Sequence, residues 1–184
     1  LNAANIAIAA EKHKKAVEKQ DAKELAEAGL NGKQIFEVLE RVKMESSIYI
    51  TVDTLKFLKK GGRITPAAAA LGTLLRIKPV LQIQGEKLDA FAKARTMKQA
   101  RSMMITAITR DLENRFDDMT GEKTYIDVAH TDNDEMAQEL AAELRELFPE
   151  TEVRVEPLSL SVACHIGPGA LAVACSRKIP ELEE

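Results

Sequence analysis

Two glycines stand directly before an arginine in the segment Gly61-Gly62-Arg63-Ile64. Glycine has no side chain, so a ligand can approach the backbone closely at such a position. The arginine adds a planar set of donors that suits a carboxylate or a phosphate. A helix C-cap followed by a surface arginine would give the same pattern, because glycine is common after helices. The spacing alone favours this second interpretation, and an anion site is the alternative.

A histidine beside a Gly-Pro-Gly turn forms a second group, in the segment from Cys164-His165 through Gly167-Pro168-Gly169. A histidine can donate to an anion or act as an acid or base near neutral pH. No acidic partner lies nearby in the sequence, so folding would have to supply one. A buried structural histidine at a turn explains the pattern equally well.

Further cationic side chains stand at the ends of predicted elements. Arg95 and Lys98 lie at the start of a long predicted helix, where positive charge opposes the helix dipole but suits an anion site. A solvated helix face is the simpler interpretation of both. His13 lies among lysines and glutamates and is predicted to be exposed. His130 ends a predicted strand, where an N-cap or loop role competes with a ligand contact.

The elements that must position these groups alternate along the chain. Asn31-Gly32-Lys33-Gln34 resembles a capping box at the start of a helix, and Thr96 is predicted to cap the helix that follows it. Gly85-Glu86 is typical of a tight hairpin. Helices are predicted at 3–28, after Asn31, and at 55–60, 66–75, 97–116, 136–148 and 159–165. Strands are predicted at 48–52, 77–84, 87–93, 124–129, 152–156 and 170–175. The expected fold class is α/β, a mixed β-sheet with flanking helices.

The predicted helix from Pro66 to Leu75 is apolar or small on all sides, which indicates burial on most of them. Its alanines permit close packing of the helix on a sheet. They would equally leave space for a narrow apolar ligand. The sequence leaves both interpretations open.

The composition is that of a globular domain: 45% of the 184 residues are hydrophobic and 30% are charged. A net charge of -3 argues against nucleic-acid binding, which needs clustered Lys and Arg. Cys164 and Cys175 show no metal-ligand spacing and no disulfide framework, so reduced thiols in the cytoplasm are expected. Neither a cofactor nor a metal is predicted. The chain opens at Leu1 inside a helical pattern, and we expect further sequence upstream of it.

Three segments, taken together in this order, resemble the DegV family. They are the stretch from Val52-Asp53-Thr54-Leu55 to Gly61-Gly62-Arg63-Ile64, the alanines followed by Ile77-Lys78-Pro79, and His165 through Leu171. Lys93-Ala94-Arg95-Thr96 also fits the family pattern. The similarity covers essentially the whole chain. Each motif alone is weak evidence, but jointly they are specific.

The resemblance implies a two-domain bacterial protein that encloses one long-chain fatty acid, with the carboxylate near the domain junction. A separate fatty acid kinase subunit would phosphorylate that carboxylate for phospholipid synthesis, and transient contact with a membrane surface is compatible with this role. The resemblance makes residues 1–45 a helical segment that links to an N-terminal α/β domain absent from this sequence. Residues 46–184 would then be the C-terminal domain of the family.

Residue by residue, the resemblance implies ligand contacts that share one site. Arg63 and His165 would contact the head group together with Gly167 and Gly169, and Arg95 would contact a phosphate or the partner. The residues expected to line or support the acyl slot are Ile64, Leu71, Leu74 and Leu75. This sequence differs from the family pattern at Cys164, where threonine or another small residue is expected.

Two other function classes compete with the fatty-acid carrier. One is a structural or regulatory interaction domain that retains no ligand. The other is an acyl hydrolase in which His165 acts as a general base, although the sequence shows no recognisable nucleophile motif for it. The oligomeric state and the preferred acyl chain are not predicted.

Overall fold

The computed structural model describes residues 21–42, 45–60, 77–83 and 88–179, in which helices and strands alternate as predicted. The helices are α1 (21–27), α2 (Gly32–Val42), α3 (Lys56–Lys60), α4 (Met97–Asp111), α5 (Asp134–Leu147) and α6 (Leu160–Ile166). A π turn, Leu112–Phe116, continues α4. The strands are β1 (Ser46–Thr51), β2 (Lys78–Ile83), β3 (Leu88–Ala94), β4 (Thr124–Thr131), β5 (Val153–Pro157) and β6 (Ala170–Arg177). The predicted helix 66–75 lies outside the described residues.

The described strands form one six-stranded sheet in the order β3-β2-β1-β6-β4-β5. Neighbouring strands are antiparallel except for β4 and β5, which are parallel. The mixed sheet with flanking helices is therefore confirmed. The hairpin of β2 and β3 is confirmed as a strand pair, while its predicted turn at residues 85–86 lies outside the described residues.

Strand β6 occupies the centre of the sheet, where it pairs with β1 on one side and with β4 on the other. Its residues from Ala170 to Ser176 are all buried. A strand buried on both faces is expected to have a continuous apolar sequence rather than an alternating one. The apolar run 170–175 predicted this strand correctly, and the structure extends it to Arg177.

Each face of the sheet has its own hydrophobic cluster. Helices α4 and α5 cover one face, and helices α3 and α6 pack on the other. The first cluster includes Tyr49, Val80, Met104, Ile108, Ile126, Leu140, Leu144 and Val173. The second includes Ile50, Val52, Leu55, Leu58, Leu81, Val162, Ile166 and Ala172. The strands alternate side chains between the two faces, so adjacent residues such as Tyr49 and Ile50 belong to different clusters.

Local side-chain chemistry fixes the starts of two helices as the sequence predicts. The Thr96 hydroxyl accepts from the Gln99 N–H at 3.1 Å. The Asn31 side chain accepts from the Gln34 N–H at 3.2 Å, and the Gln34 side chain accepts from the Asn31 N–H at 2.9 Å. The second pair is a complete capping box, which satisfies two backbone donors that the helix itself leaves unpaired.

Three details of the helices and strands differ from the sequence prediction. The chain after Asp111 leaves the α-helical pattern for the π turn, although the predicted apolar stripe stays buried through Phe116. Leu147, predicted on the buried face of α5, is instead exposed at the end of that helix. Strand β4 continues beyond Ala129 to Thr131, which brings two further polar side chains into the sheet.

A β-bulge interrupts the pairing of the edge strand β3. Val80 pairs with Ala92 and Leu81 pairs with Ala90, so Phe91 is an extra residue on β3. A bulge redirects the side chain of the extra residue. Phe91 accordingly reaches the face covered by α4 and α5, where its ring packs edge-on against Tyr49 with 4.9 Å between the ring centroids.

Helices α1 and α2 form a small cluster away from both faces of the sheet. Leu25 and Val38 are buried there against Ile179, which follows β6. Phe36 on α2 stays largely exposed. Among the described residues, no helix has the length and apolar composition that crossing a membrane requires.

A buried polar network joins β1 to the end of α4. The Tyr49 hydroxyl donates to Asp111 Oδ2 at 2.7 Å. The Arg115 guanidinium lies 3.4 Å from the same oxygen and also donates to the Ser47 hydroxyl. Asp111 is only 3% exposed, so its charge depends on these partners in place of water.

Burial, together with the hydrogen bond to Asp111, raises the pKa of the Tyr49 hydroxyl above its ordinary value of about 10. The unfolded chain therefore releases this proton at lower pH than the folded chain does. The stabilisation is complete below pH ~10 and decreases above it, by about 1.4 kcal/mol per pH unit.

We expect Tyr49→Phe to lower the free energy of unfolding at pH 7 by roughly 1–3 kcal/mol, because Asp111 loses a donor. The variant should also lose part of the decline in stability above pH ~10. Urea unfolding of both proteins from neutral to alkaline pH measures the two effects. Cys175, whose thiol pKa is also raised by burial, is present in both proteins and contributes equally. Equal alkaline slopes would contradict the expectation.

Candidate functional site

The described parts of the predicted site segments lie at one end of the sheet. Strands β1, β3 and β4 end there, at Thr51, Ala94 and Thr131, and strands β2 and β6 begin there, at Lys78 and Ala170. We call this end of the sheet the site edge. The described parts of the three motif segments, 52–60, 77–79 and 165–171, are distant in sequence and reach the same edge because of the order and direction of the strands.

His165 lies in the last turn of α6 and is half-buried. Val162 and Ile166 on the same helix are buried against the sheet, which fixes how the helix presents His165. The Gly167 N–H donates to the Ala163 carbonyl at 2.8 Å and closes the helix.

The loop Gly167–Gly169 joins α6 to β6 and needs glycine at both ends. Gly167 has φ 79° and ψ 177°, a region that only glycine adopts without strain. A Cβ on Gly167 would also overlap the ring of Phe57 from α3. Gly169 has φ 80°, and a Cβ there would lie 3.2 Å from the Cβ of Asp53. The segment after β1 therefore packs directly on the loop that follows His165.

The backbone N–H groups of this loop are already used within the protein. Gly167 donates to α6, and Pro168 has no N–H. The Gly169 N–H donates to the Thr131 carbonyl at 2.6 Å. The Ala170 N–H donates to the Thr131 hydroxyl at 3.0 Å. An anion at this loop would therefore have to be bound by side chains, not by the amide nest that a Gly-rich turn often supplies.

The turn between β4 and α5 holds the loop from the opposite side. The Thr131 hydroxyl donates to the Gly167 carbonyl at 2.6 Å, and the Asn133 side-chain amide donates to the Gly169 carbonyl at 3.3 Å. His130 Nδ1 accepts from the Asn133 N–H at 3.2 Å, while its Nε2 lies 3.5 Å from Asp134. The structure thus gives His130 a role in this turn.

Asp53 and Lys78 form an ion pair at the site edge. The Lys78 ammonium also donates to the Asp53 carbonyl at 3.2 Å, so it ties the residues after β1 to the start of β2. Both residues belong to the motif segments of the sequence analysis. The pair is partly exposed and contributes modestly to stability, but it fixes the position of Asp53 beside Gly169.

Arg95 and Lys98 are exposed at the same end of the sheet. The Arg95 N–H donates to the Gln99 side chain at 2.7 Å, at the start of α4. Three strand spacings separate β3 from β6, which places the Arg95 backbone roughly 14 Å from the Gly169 loop. Arg95 therefore shares the edge with His165 but not its immediate surroundings, and its contact with a phosphate or partner stays a prediction.

The remaining predicted site residues lie outside the described residues. They are Arg63, Ile64, Leu71, Leu74 and Leu75. The roles predicted for His165, Gly167 and Gly169 are also untested, although the structure brings these three together. Within the described ranges, no group of three or more His, Cys, Asp or Glu side chains could hold a metal ion. Both cysteines are free thiols, with Cys164 exposed and Cys175 buried.

Sequence reasoning missed the residues that support the loop. Asp53 and Phe57 lie in a motif segment, but nothing in that segment indicates their contacts. The only signal was the presence of glycine at 167 and 169, since glycine allows another residue to pack closely on the backbone. Thr131 and Asn133 gave no signal, because their partners are 36 or more residues away in sequence.

Comparison with known proteins places these segments in a family. The family model described as "Uncharacterised protein, DegV family" matches residues 13–178. A DegV domain-containing protein of Clostridium perfringens is 35% identical over 153 residues, which cover 83% of this chain and 50% of that protein. Protein DegV of Bacillus subtilis is 30% identical over 153 residues, which cover 83% of this chain and 52% of that protein. The chain spans about half the length of the curated relatives it matches.

Solved structures share the fold. A fatty-acid-binding DegV family protein from Thermus thermophilus is similar with a TM-score of 0.77 and 31% identity, over 88% of this chain and 56% of that one. DegV, a fatty acid binding protein from Bacillus subtilis, is similar with a TM-score of 0.76 and 28% identity, over 90% of this chain and 57% of that one.

We expect Gly167→Ala to destabilise the fold in two separable ways. The backbone angles alone should cost about 1–3 kcal/mol, and the overlap with the Phe57 ring adds to that cost. In a Phe57→Ala background the overlap disappears, so the double variant should lose less stability than the sum of the two single variants.

Urea unfolding of the four proteins measures this coupling. Gly32→Ala is the matched control, because a Cβ there meets nothing within 4 Å and Gly32 has no positive φ. That control should be neutral or slightly stabilising. Strict additivity between the Gly167 and Phe57 changes would show that the ring does not pack on the loop as described.

Proposed function

Because the chain belongs to the DegV family, we propose that it is part of a protein that binds one long-chain fatty acid with the carboxylate at the site edge. The observation that carries the proposal is the meeting of His165, the Gly167–Gly169 loop and the Asp53–Phe57 segment at that edge. The fatty-acid-binding proteins from Thermus thermophilus and Bacillus subtilis have the same fold.

The chemistry of the loop supports a head group bound by side chains. A carboxylate in an apolar slot is costly unless charged or polar groups pair with it. The loop has no N–H to offer, so His165 and Arg63 are the groups that we assign to the carboxylate. Gly167 and Gly169 would line the site without donating hydrogen bonds to the head group, while their lack of side chains lets Phe57 and Asp53 pack on the loop. The acyl chain would lie against Ile64 and against Leu71, Leu74 and Leu75.

We further propose that a separate kinase subunit phosphorylates the bound fatty acid. A carboxylate oxygen would bond to the γ-phosphorus of ATP as the bond to the bridging oxygen breaks, giving acyl phosphate and ADP. This chain would supply no catalytic residue. The exposed Arg95 and Lys98 support the proposal, because they place positive charge at the edge where phosphates would arrive.

The same proposal assigns a structural role to each of the two parts of the chain. Residues 46–184 would be the C-terminal domain, and residues 1–45 would link it to a further domain that completes the slot. The coverage of about half of each relative supports the further domain, and α1 and α2 pack on the second part of the chain only through their own small cluster with Ile179. Reaction with ATP would place the protein in the bacterial cytoplasm.

Lipid extraction followed by mass spectrometry tests the carrier function. The protein is expressed from its complete gene, so that any residues beyond these 184 are present, and its bound lipids are extracted under native conditions. We expect one fatty acid per protein molecule. A protein that is empty, and stays empty when offered palmitic, stearic or oleic acid, would overturn the proposal and favour an interaction domain.

Substitutions at the assigned residues locate the head group. His165→Ala and Arg63→Ala should each lower fatty-acid affinity about tenfold or more, because each removes a partner of a buried carboxylate. Arg154→Ala is the matched arginine control, since Arg154 lies on the edge strand β5 and pairs with Asp127 on β4. Undiminished affinity in both site variants would place the head group elsewhere. Release of fatty acid from an acyl ester by the protein alone would favour the hydrolase.

A further inference from the structure

We infer that Thr131, assisted by Asn133, is the positioning residue of the head-group site. It fixes the Gly167–Gly169 loop and thereby the placement of His165. The inference deepens the proposed function, and its last step, the effect on fatty-acid binding, rests on that function. The first step concerns only how the loop is held.

Thr131 makes three hydrogen bonds to the loop and to the strand that follows it. Its carbonyl accepts from the Gly169 N–H, and its hydroxyl both donates to the Gly167 carbonyl and accepts from the Ala170 N–H. Thr131 is 6% exposed, so water cannot readily replace these bonds. One side-chain oxygen thus serves two backbone groups on opposite ends of the loop.

Thr131 makes more of the loop's hydrogen bonds than Ala163 or Asn133, which contribute one each. Pro168 is exposed and contributes no N–H, and glycine on either side of it leaves the backbone free to rotate. Without the Thr131 hydroxyl, the Gly167 carbonyl and the Ala170 N–H would lose their partners in a buried location. These two groups would regain partners if the loop moved outward to water.

Such a movement of the loop would displace His165. Gly167 follows His165 by two residues, and its N–H closes the last turn of α6. Phe57 packs on Gly167, so the segment after β1 would shift as well. Asn133 provides the second attachment through its bond to the Gly169 carbonyl, and His130 holds Asn133.

Thr151 offers a matched control at the opposite end of β4. Its hydroxyl donates to the Thr124 carbonyl at 2.5 Å, and its side chain is as buried as that of Thr131. Thr151→Val therefore removes one buried hydrogen bond far from the site edge, whereas Thr131→Val removes two. A loss that comes from stability alone should appear in both variants, and only Thr131→Val should change the loop and the affinity.

The experiment compares Thr131→Val, Thr131→Ser and Thr151→Val in the protein expressed from its complete gene. The two measurements are the amide hydrogen exchange of Gly169 and Ala170 and the affinity for palmitic acid. We expect Thr131→Val to speed exchange at both amides and to lower affinity, each by about tenfold or more. Thr131→Ser keeps the hydroxyl and should stay within about threefold of the natural protein, as should Thr151→Val.

The two measurements separate the inference from the proposed function. If the natural protein binds no fatty acid while exchange at Gly169 and Ala170 rises only in Thr131→Val, the proposed function fails and the positioning role of Thr131 stands. If Thr131→Val and Thr151→Val behave alike in both measurements, the inference is overturned. Faster exchange with unchanged affinity would overturn the link between the loop and the head group.

Asn133→Ala keeps the test decisive should Thr131→Val fail to fold. It removes only the bond to the Gly169 carbonyl from a half-buried side chain. We expect it to speed exchange at Gly169 and to lower affinity in the same direction as Thr131→Val, by a smaller factor. No change in either measurement would overturn the inference.

Discussion

Strand β6 is hydrogen-bonded along both edges and buried on both faces, and the arrangement of the site edge follows from this constraint. A strand in this position cannot shift its register without breaking two ladders and burying the wrong side chains. Its first residue, Ala170, is therefore a fixed point. The loop before it, α6 before that loop, and His165 on α6 are all located relative to that residue.

The fixed start of β6 also decides what kind of binding the site can perform. Gly167 and Gly169 are hydrogen-bonded to Ala163, Thr131 and Asn133. The backbone polar groups of the turn therefore stabilise its conformation and are not available to a ligand. A ligand would therefore be bound by side chains whose positions are fixed by this rigid loop. Such a support favours precise placement of a few groups, since little ordering remains to be done when a ligand binds.

Local sequence predicted the fold where local chemistry decides it. The apolar run of β6 and the cap at Thr96 depend on residues within one element, and both are present as predicted. The bond from Tyr49 to Asp111 and the role of Thr131 depend on pairs 62 and 36 or more residues apart, which no local pattern encodes. For the site, spacing alone favoured a surface arginine at Arg63 and left a structural and a ligand-binding role equally open for His165. From the sequence, only the family resemblance indicated that the three motif segments belong to one site. In the structure, the order of the strands brings their described parts together.

Both outer strands of the sheet have features that discourage further strand pairing. The bulge at Phe91 disturbs the regular spacing of backbone donors and acceptors along β3, and Lys93 adds a charge beside it. Strand β5 is short, ends at Pro157 and carries Arg154 among its exposed residues. Unprotected sheet edges are templates for aggregation and amyloid-like growth. The bulge and the charge on β3, and the short length, proline and arginine of β5, thereby protect the described sheet against edge-to-edge self-association.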